Sequence, residues 1–221
     1  MAAESLERPA LVVTPQGMWR LYVSCATPGG AHWRVELMEA RDPGGFDPAR
    51  RQVVLPGDAK TAVKDPVIVH HDGLWHLWAS CHPLTVVGET DQMTTDYATS
   101  LDGLAWTWHG TALDGRLGYW DGRGTRITSV MFSGSGVLAS YDGRASALEN
   151  CEERTGLAVG AEPGALAAHA TAPAATSPYG SGCLRYLAVV ALPGGSHRLY
   201  YKAGGLGGSH DLCTELLPAS R

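Results

Sequence analysis

One stretch of this chain is written twice. Arg8-Pro9-Ala-Leu-Val-Val, followed by Gly17-Met-Trp-Arg-Leu-Tyr-Val-Ser-Cys25, returns as Asp65-Pro66-Val-Ile-Val-His, followed by Gly73-Leu-Trp-His-Leu-Trp-Ala-Ser-Cys81, at a constant offset of 56 to 57 residues. Each copy reads as a strand, a glycine turn and a second strand with aromatic residues at every other position. A unit of this kind cannot bury both of its faces alone, so it must stack on copies of itself. The repeat that fits is the blade of a β-propeller, in which neighbouring four-stranded sheets cover one another and leave only short edges.

The predicted fold class is therefore all-β, a β-propeller with four legible blade repeats at about 7–63, 64–116, 117–178 and 179–218 in a single domain spanning 1–221. Inner strands are expected at 9–13, 66–70, 126–132 and 184–192. A turn is expected at Ser133-Gly-Ser-Gly136, and a loop or poorly formed edge over the Ala/Pro/Thr-rich 161–178. His197-Arg-Leu-Tyr-Tyr201 echoes Trp19-Arg-Leu-Tyr-Val23 and marks the fourth unit. Ser100-Leu-Asp-Gly-Leu-Ala-Trp106 reads as a structural turn whose tryptophan packs between sheets. By strand alternation Trp19, Tyr22, Trp75, Trp78, Trp106, Leu199 and Tyr201 should be buried between blades.

Composition agrees with many short strands: 28 Gly and 13 Pro, with 7 Trp and 8 Tyr against 2 Phe. Net charge is −5 with the basic residues scattered, which excludes a nucleic-acid partner. No run of 18 apolar residues and no secretory leader pattern occur, so the expectations are no membrane partner and a cytoplasmic location. The five cysteines lack CxxC spacing, which argues for small buried hydrophobes and against a disulfide framework or a metal site. No P-loop, dinucleotide fingerprint or Gly-x-Ser-x-Gly elbow is present, and no cofactor is expected.

Inner strands that open on Glu7-Arg8-Pro9 and Lys64-Asp65-Pro66, each followed by a Gly-x-Trp-x-Leu-Tyr/Trp-x-Ser strand, resemble the five-bladed propeller glycosidases, the superfamily of glycoside hydrolase families 43, 32, 62 and 68. The resemblance implies a central tunnel whose inner strands begin with functional carboxylates, and a small glycoside or oligosaccharide as partner, with room for a homo-oligomer. The chain departs from that pattern in three ways. Four repeats are legible, so a fifth blade would lie before Glu7, within 145–178, or in another chain. No Asp-Pro nucleophile precedes Glu7. The invertase-like branch carries its acid directly before a cysteine, whereas here the order is Glu149-Asn150-Cys151-Glu152-Glu153.

Cleaving a glycosidic bond takes two carboxyl groups, one donating a proton and one ionised. The leading pair is Asp65 and Glu7, which the repeat places at or next to the same position in adjacent blades; an Asp-Pro step can also open a strand for backbone reasons alone. Glu152 is a third catalytic candidate, within the densest polar stretch of the chain. Asp121 and Arg126, before the third inner strand, are substrate-binding candidates or a surface ion pair. Asp142 of Tyr141-Asp-Gly-Arg144 is a binding residue or part of a hairpin turn. Arg8, Arg154, His82 and His210 complete the substrate-binding set, and His70-His71 is expected to be exposed at a turn. The function these features imply is a glycosidase. The competing readings are a non-catalytic propeller that binds a glycan or protein, and a structural interaction module; two carboxyls roughly 5 to 10 Å apart would favour catalysis.

Overall fold

The computed structural model describes residues 3–134 and 136–219, and its regular structure is β-strand with three short 3₁₀ turns. Ser135, in the expected Ser133–Gly136 turn, lies outside the described residues. The chain divides into two compact units, residues 1–112 and 113–221.

The first unit holds two sheets, each wound in sequence order. One is β1 (Leu6–Val13), β2 (Trp19–Ala26), β3 (Trp33–Ala40) and β4 (Gln52–Leu55); the other is β5 (Thr61–His71), β6 (Leu74–Pro83), β7 (Thr94–Ser100) and β8 (Thr107–Leu113). The β5–β6 connection is a two-residue hairpin of Asp72 (φ 48°) and Gly73 (φ 79°), the pair of positive φ angles that a type I′ turn demands. Between the sheets lies a core of Tyr22, Val35, Leu37, Leu55, Val63, Ile68, Trp75, Leu77 and Ala98, with Leu104 and Trp106 packed on its rim. The Ser100–Trp106 turn is held as expected. Asp102 Oδ1 accepts from the amides of Leu104 (2.8 Å) and Ala105 (3.0 Å), and those bonds hold its carboxyl below the ordinary value. Tyr22 OH in turn donates to the Gly103 carbonyl (2.9 Å), docking the turn on the neighbouring blade.

The second unit pairs β9 (Gly124–Ser133), β10 (Gly136–Arg144), β11 (Arg154–Glu162) and β12 (Ala165–Ala168) in one sheet, and β13 (Leu184–Ala191), β14 (His197–Gly204) and β15 (His210–Leu217) in another. The 145–178 stretch hides no further blade: it supplies β11 and β12, and β12 is a defined edge strand within the segment expected to be loop. The described residues thus form four blades, the last with three strands. Burial follows the sequence expectation at Tyr22, Trp75 and Trp78. Trp19, Trp106, Leu199 and Tyr201 are only half-buried. The fourth sheet is the most open, with Val190, Tyr200, Leu212 and Leu216 exposed.

All four inner strands carry an irregularity at one level. Pairing slips between Glu7 and Ala10, between Lys64 and Val67, and between Arg185 and Ala188, and in the third blade between Ser140 and Tyr141 of β10. In three of them the bulge contains a non-glycine residue at positive φ: Arg8 (44°), Asp65 (53°) and Tyr186 (61°). Such backbone is uncommon and is held only where its surroundings determine it. The surroundings are equivalent in the two units: the Asp65 amide donates to Ser24 Oγ (2.8 Å), and the Tyr186 amide to Asp142 Oδ1 (2.9 Å), each acceptor coming from the second strand of the preceding blade.

Candidate functional site

The register makes Lys64, not Asp65, the counterpart of Glu7, since Glu7 pairs with Ser24 and Lys64 with Ser80; Asp65 is the counterpart of Arg8. This one-residue step brings the candidates together. The Lys64 ammonium bonds the Glu7 carboxylate, lies 3.9 Å from Asp65 Oδ1, and sits 3.9 Å from the centre of the Trp33 ring. Two carboxylates therefore share one cation. With a hydrogen-bond length on the Glu7 side, their oxygens lie at most roughly 7 Å apart. The Glu7 side chain is 40% exposed and the Lys64 side chain 11%, whereas the Asp65 side chain has no exposed surface. Arg8, half-buried in the β1 bulge, follows Glu7 directly.

The second unit gathers a denser set. Arg126 Nη2 is 2.9 Å from Asp142 Oδ2 and 3.7 Å from Glu153 Oε1; Arg144 Nη1 reaches the same Glu153 oxygen at 3.0 Å and Arg185 Nη1 reaches Oε2 at 2.6 Å. The Arg126 and Arg185 guanidiniums each lie over the Tyr186 ring, 4.6 and 4.4 Å from its centre. Burial alone would raise the Glu153 pKa, but Arg126 and Arg185 outweigh it and hold the carboxyl below its ordinary value. Below this cluster, Asp121 takes Arg116 Nη2 (2.7 Å) and Tyr141 OH (2.8 Å), and burial with that bond pushes the Tyr141 phenol up.

Asp121, Arg126 and Asp142 are thus members of enclosed ion pairs, and Asp142 lies in the run of β10, paired with Arg126, where a hairpin turn had been the alternative. Of the adjacent Glu152 and Glu153, the buried one is Glu153, which no residue pattern singles out. Glu152 is 34% exposed; its Oε1 is 3.0 Å from His210 Nε2, and its Oε2 accepts from Ser181 Oγ. Arg154 pairs with Glu149, and His82 Nδ1 meets the Thr90 carbonyl (2.7 Å). His70 and His71 end β5 half-buried, His70 edge-on to Trp75 at 4.9 Å. Lys64, Arg144, Glu153, Arg185 and Tyr186 escaped the sequence reading. Only the bulge level, visible as the Arg8-Pro9 and Asp65-Pro66 steps, could have pointed to their rows. A cavity of about 550 Å³ on the outer strands, lined by Met18, Glu39, Arg41, Asp42 and Arg50 among others, shares no residue with either cluster.

Four sequentially wound antiparallel sheets, each with a bulge in its inner strand, are the blades of a β-propeller. No family model and no curated protein matches the sequence. Solved structures match the fold. A thermostable family-43 glycoside hydrolase superposes with a TM-score of 0.75 at 15% identity, over 97% of this chain and 72% of the other. A glycosyl hydrolase from Bacteroides ovatus gives 0.68 at 16% identity, over 98% and 66%. The β-1,2-mannobiose phosphorylase of Listeria innocua, solved with β-1,2-mannobiose, gives 0.70 at 15% identity, over 96% and 58%. The chain carries the fold of the propeller glycoside hydrolases and phosphorylases and spans about two thirds of the length of these structures.

Proposed function

We propose that this protein processes a small glycoside at the Glu7–Lys64–Asp65 cluster. The observation that carries the reading is the sharing of one ammonium by two carboxylates whose oxygens are at most roughly 7 Å apart, not too far for the paired-carboxyl chemistry of glycoside cleavage. Glu7, the exposed member, delivers a proton to the leaving oxygen. Asp65 takes the proton of the attacking water, or balances positive charge at the anomeric carbon, and Lys64 keeps the two groups in register. Inorganic phosphate in place of water would make the same step a phosphorolysis. Arg8, next to Glu7, is the substrate-binding residue placed best for this; Glu152 remains a separate third carboxylate.

A second reading, glycan binding without cleavage, is favoured by one observation: the Asp65 side chain is fully enclosed, so of the two carboxylates a sugar arriving from solvent meets Glu7. A panel of nitrophenyl glycosides and short oligosaccharides, assayed with and without phosphate, separates the two. Turnover lost in Asp65→Asn with the fold intact, and reduced in Glu7→Gln most for poor leaving groups, supports catalysis. Saturable sugar binding with no turnover of any panel member supports the binding reading and ends the catalytic one.

A further inference from the structure

The chain folds three metal-ligating side chains together that its sequence keeps far apart. Glu152 follows the short 3₁₀ turn Ala147–Glu149, Cys183 immediately precedes β13, and His210 opens β15. Backbone bonds bring them to one place. The Leu184 amide donates to the Glu153 carbonyl (3.1 Å), fixing the 152–153 step beside 183–184. The Gly204 amide donates to the Cys183 carbonyl (2.8 Å), and Gly204 is the register partner of His210. The result is a carboxylate oxygen, a thiol sulfur and an imidazole nitrogen all within 4.8 Å of one another, with Glu152 Oε1 already 3.0 Å from His210 Nε2.

We propose that Glu152, Cys183 and His210 bind one divalent transition metal of the zinc class. The donor set decides the class: magnesium and calcium take oxygen ligands, whereas mixed sulfur, nitrogen and carboxylate donors suit zinc and cobalt. Size agrees. Metal–ligand bonds of about 2.0 to 2.3 Å at tetrahedral angles put donor atoms roughly 3.3 to 3.7 Å apart, within a side-chain adjustment of the separations here. The surroundings agree as well. Ser181 Oγ holds the other Glu152 oxygen, leaving Oε1 turned to His210. Cys183 is fully buried, while the Glu152 and His210 side chains are 34% and 19% exposed, so the sulfur forms the floor and the other two ligands the rim. Three protein ligands leave a fourth position for water. On binding, the Cys183 S–H bond breaks, the metal–sulfur bond forms and the proton goes to solvent; no oxidant is involved. The site shares no residue with Glu7, Lys64 or Asp65, and the proposal stands apart from the glycoside reading.

The test is a cobalt titration of the full chain after treatment with a chelator. The expected result is one Co²⁺ per chain, with visible bands of a low-coordinate ion and a near-ultraviolet thiolate-to-cobalt charge-transfer band, all displaced by Zn²⁺. Cys183→Ser should remove the charge-transfer band. Glu152→Gln and His210→Gln, at partly exposed positions, should each weaken binding by more than the roughly 10- to 100-fold that losing a ligand's hydrogen-bond partner costs; Ser181→Ala should cost about tenfold and keep the bands. Absence of the charge-transfer band in the wild-type chain overturns the proposal, and so does wild-type Co²⁺ affinity in both Glu152→Gln and His210→Gln.

Discussion

Replacing Glu153 by Gln keeps the side chain's shape and removes one charge from a group with 2% of its side chain exposed. Three guanidiniums, those of Arg126, Arg144 and Arg185, would then face Asp142 as their one remaining anion in this cluster. The amide's NH₂ would also point donors at donors. Breaking a buried pair from one side costs about 3 to 5 kcal/mol. At roughly 2 to 4 °C per kcal/mol for a chain of this size, the Tm should fall by about 6 to 20 °C in calorimetry at pH 7. The pH dependence has a fixed sign. The folded pKa of Glu153 is held below the ordinary value of 4.5, so its stabilisation is present in full above that value and is lost as pH falls through the folded pKa. The gap between wild type and Glu153→Gln should therefore narrow in acid. Glu152→Gln, one residue away, should stay within about 0.5 kcal/mol of wild type in the presence of a chelator. A Glu153→Gln shift below about 2 °C, or a gap that does not change down to about pH 3, would refute the assignment of this carboxylate as the hub of the cluster.

Trp78→Ala should cost about 3 to 5 kcal/mol, since the side chain is fully enclosed and lies 5.4 Å from the Tyr97 ring, while half-buried Trp106→Ala should cost less; equal losses in urea unfolding would contradict the blade register. Thiol alkylation at pH 8 should label exposed Cys151 first and Cys81 last, because burial pushes the Cys81 thiol far up and the thiolate is the reacting form. Cys183, whose thiol burial lifts to about 11, should also resist. Mass mapping that finds Cys81 modified as fast as Cys151 in the folded protein would be the contrary result.

The repeat was legible because blades one and two keep their aromatic alternation, and the strand bounds read from it fall within a few residues of β1, β5, β9 and β13. The third blade was harder for a physical reason. Asp142-Gly143 has the composition of a hairpin turn, yet it lies inside β10: a Cβ at Gly143 would come within 2.7 Å of both the Trp120 ring and Asp121 Cβ, so this glycine marks a close approach and not a bend. The Glu149–Arg154 stretch looked like a solvated run, and its charge is sorted by backbone direction alone. Glu153 turns inward to three arginines while Glu152 stays at the surface beside His210. Metal-ligand spacing was absent from the sequence because the three donors come from separate segments joined only by backbone bonds. Asp65 is legible from its Asp-Pro step, but Lys64, the cation that links it to Glu7, is not, because a lysine before an Asp-Pro step carries no signal of its own in the sequence.

One backbone device appears in both units with different chemistry mounted on it. In the fourth blade the positive-φ residue is Tyr186, its amide held by Asp142 and its ring in contact with the Arg126 and Arg185 guanidiniums. In the second blade the equivalent residue is Asp65, its amide held by the uncharged Ser24. An acceptor that is itself an ion commits its neighbours to neutralising it, and Asp142 accordingly belongs to a cluster with three arginines and Glu153 whose formal sum, Asp142 included, is +1, all of them closed to solvent. A serine acceptor makes no such demand. Glu7, Lys64 and Asp65, of formal sum −1, keep one carboxylate open to solvent. Proton transfer to a neutral sugar needs an accessible carboxyl with a second one in reach, and of the two bulge-level clusters only the one built on Ser24 presents it. Exchanging the devices tests this directly. Ser24→Asp should draw Lys64 toward the new carboxylate, loosen its hold on Glu7, and depress any glycoside turnover, with the blade pairing unchanged by circular dichroism. Turnover that survives Ser24→Asp at the wild-type level would mean that the Lys64 bridge does not organise the site.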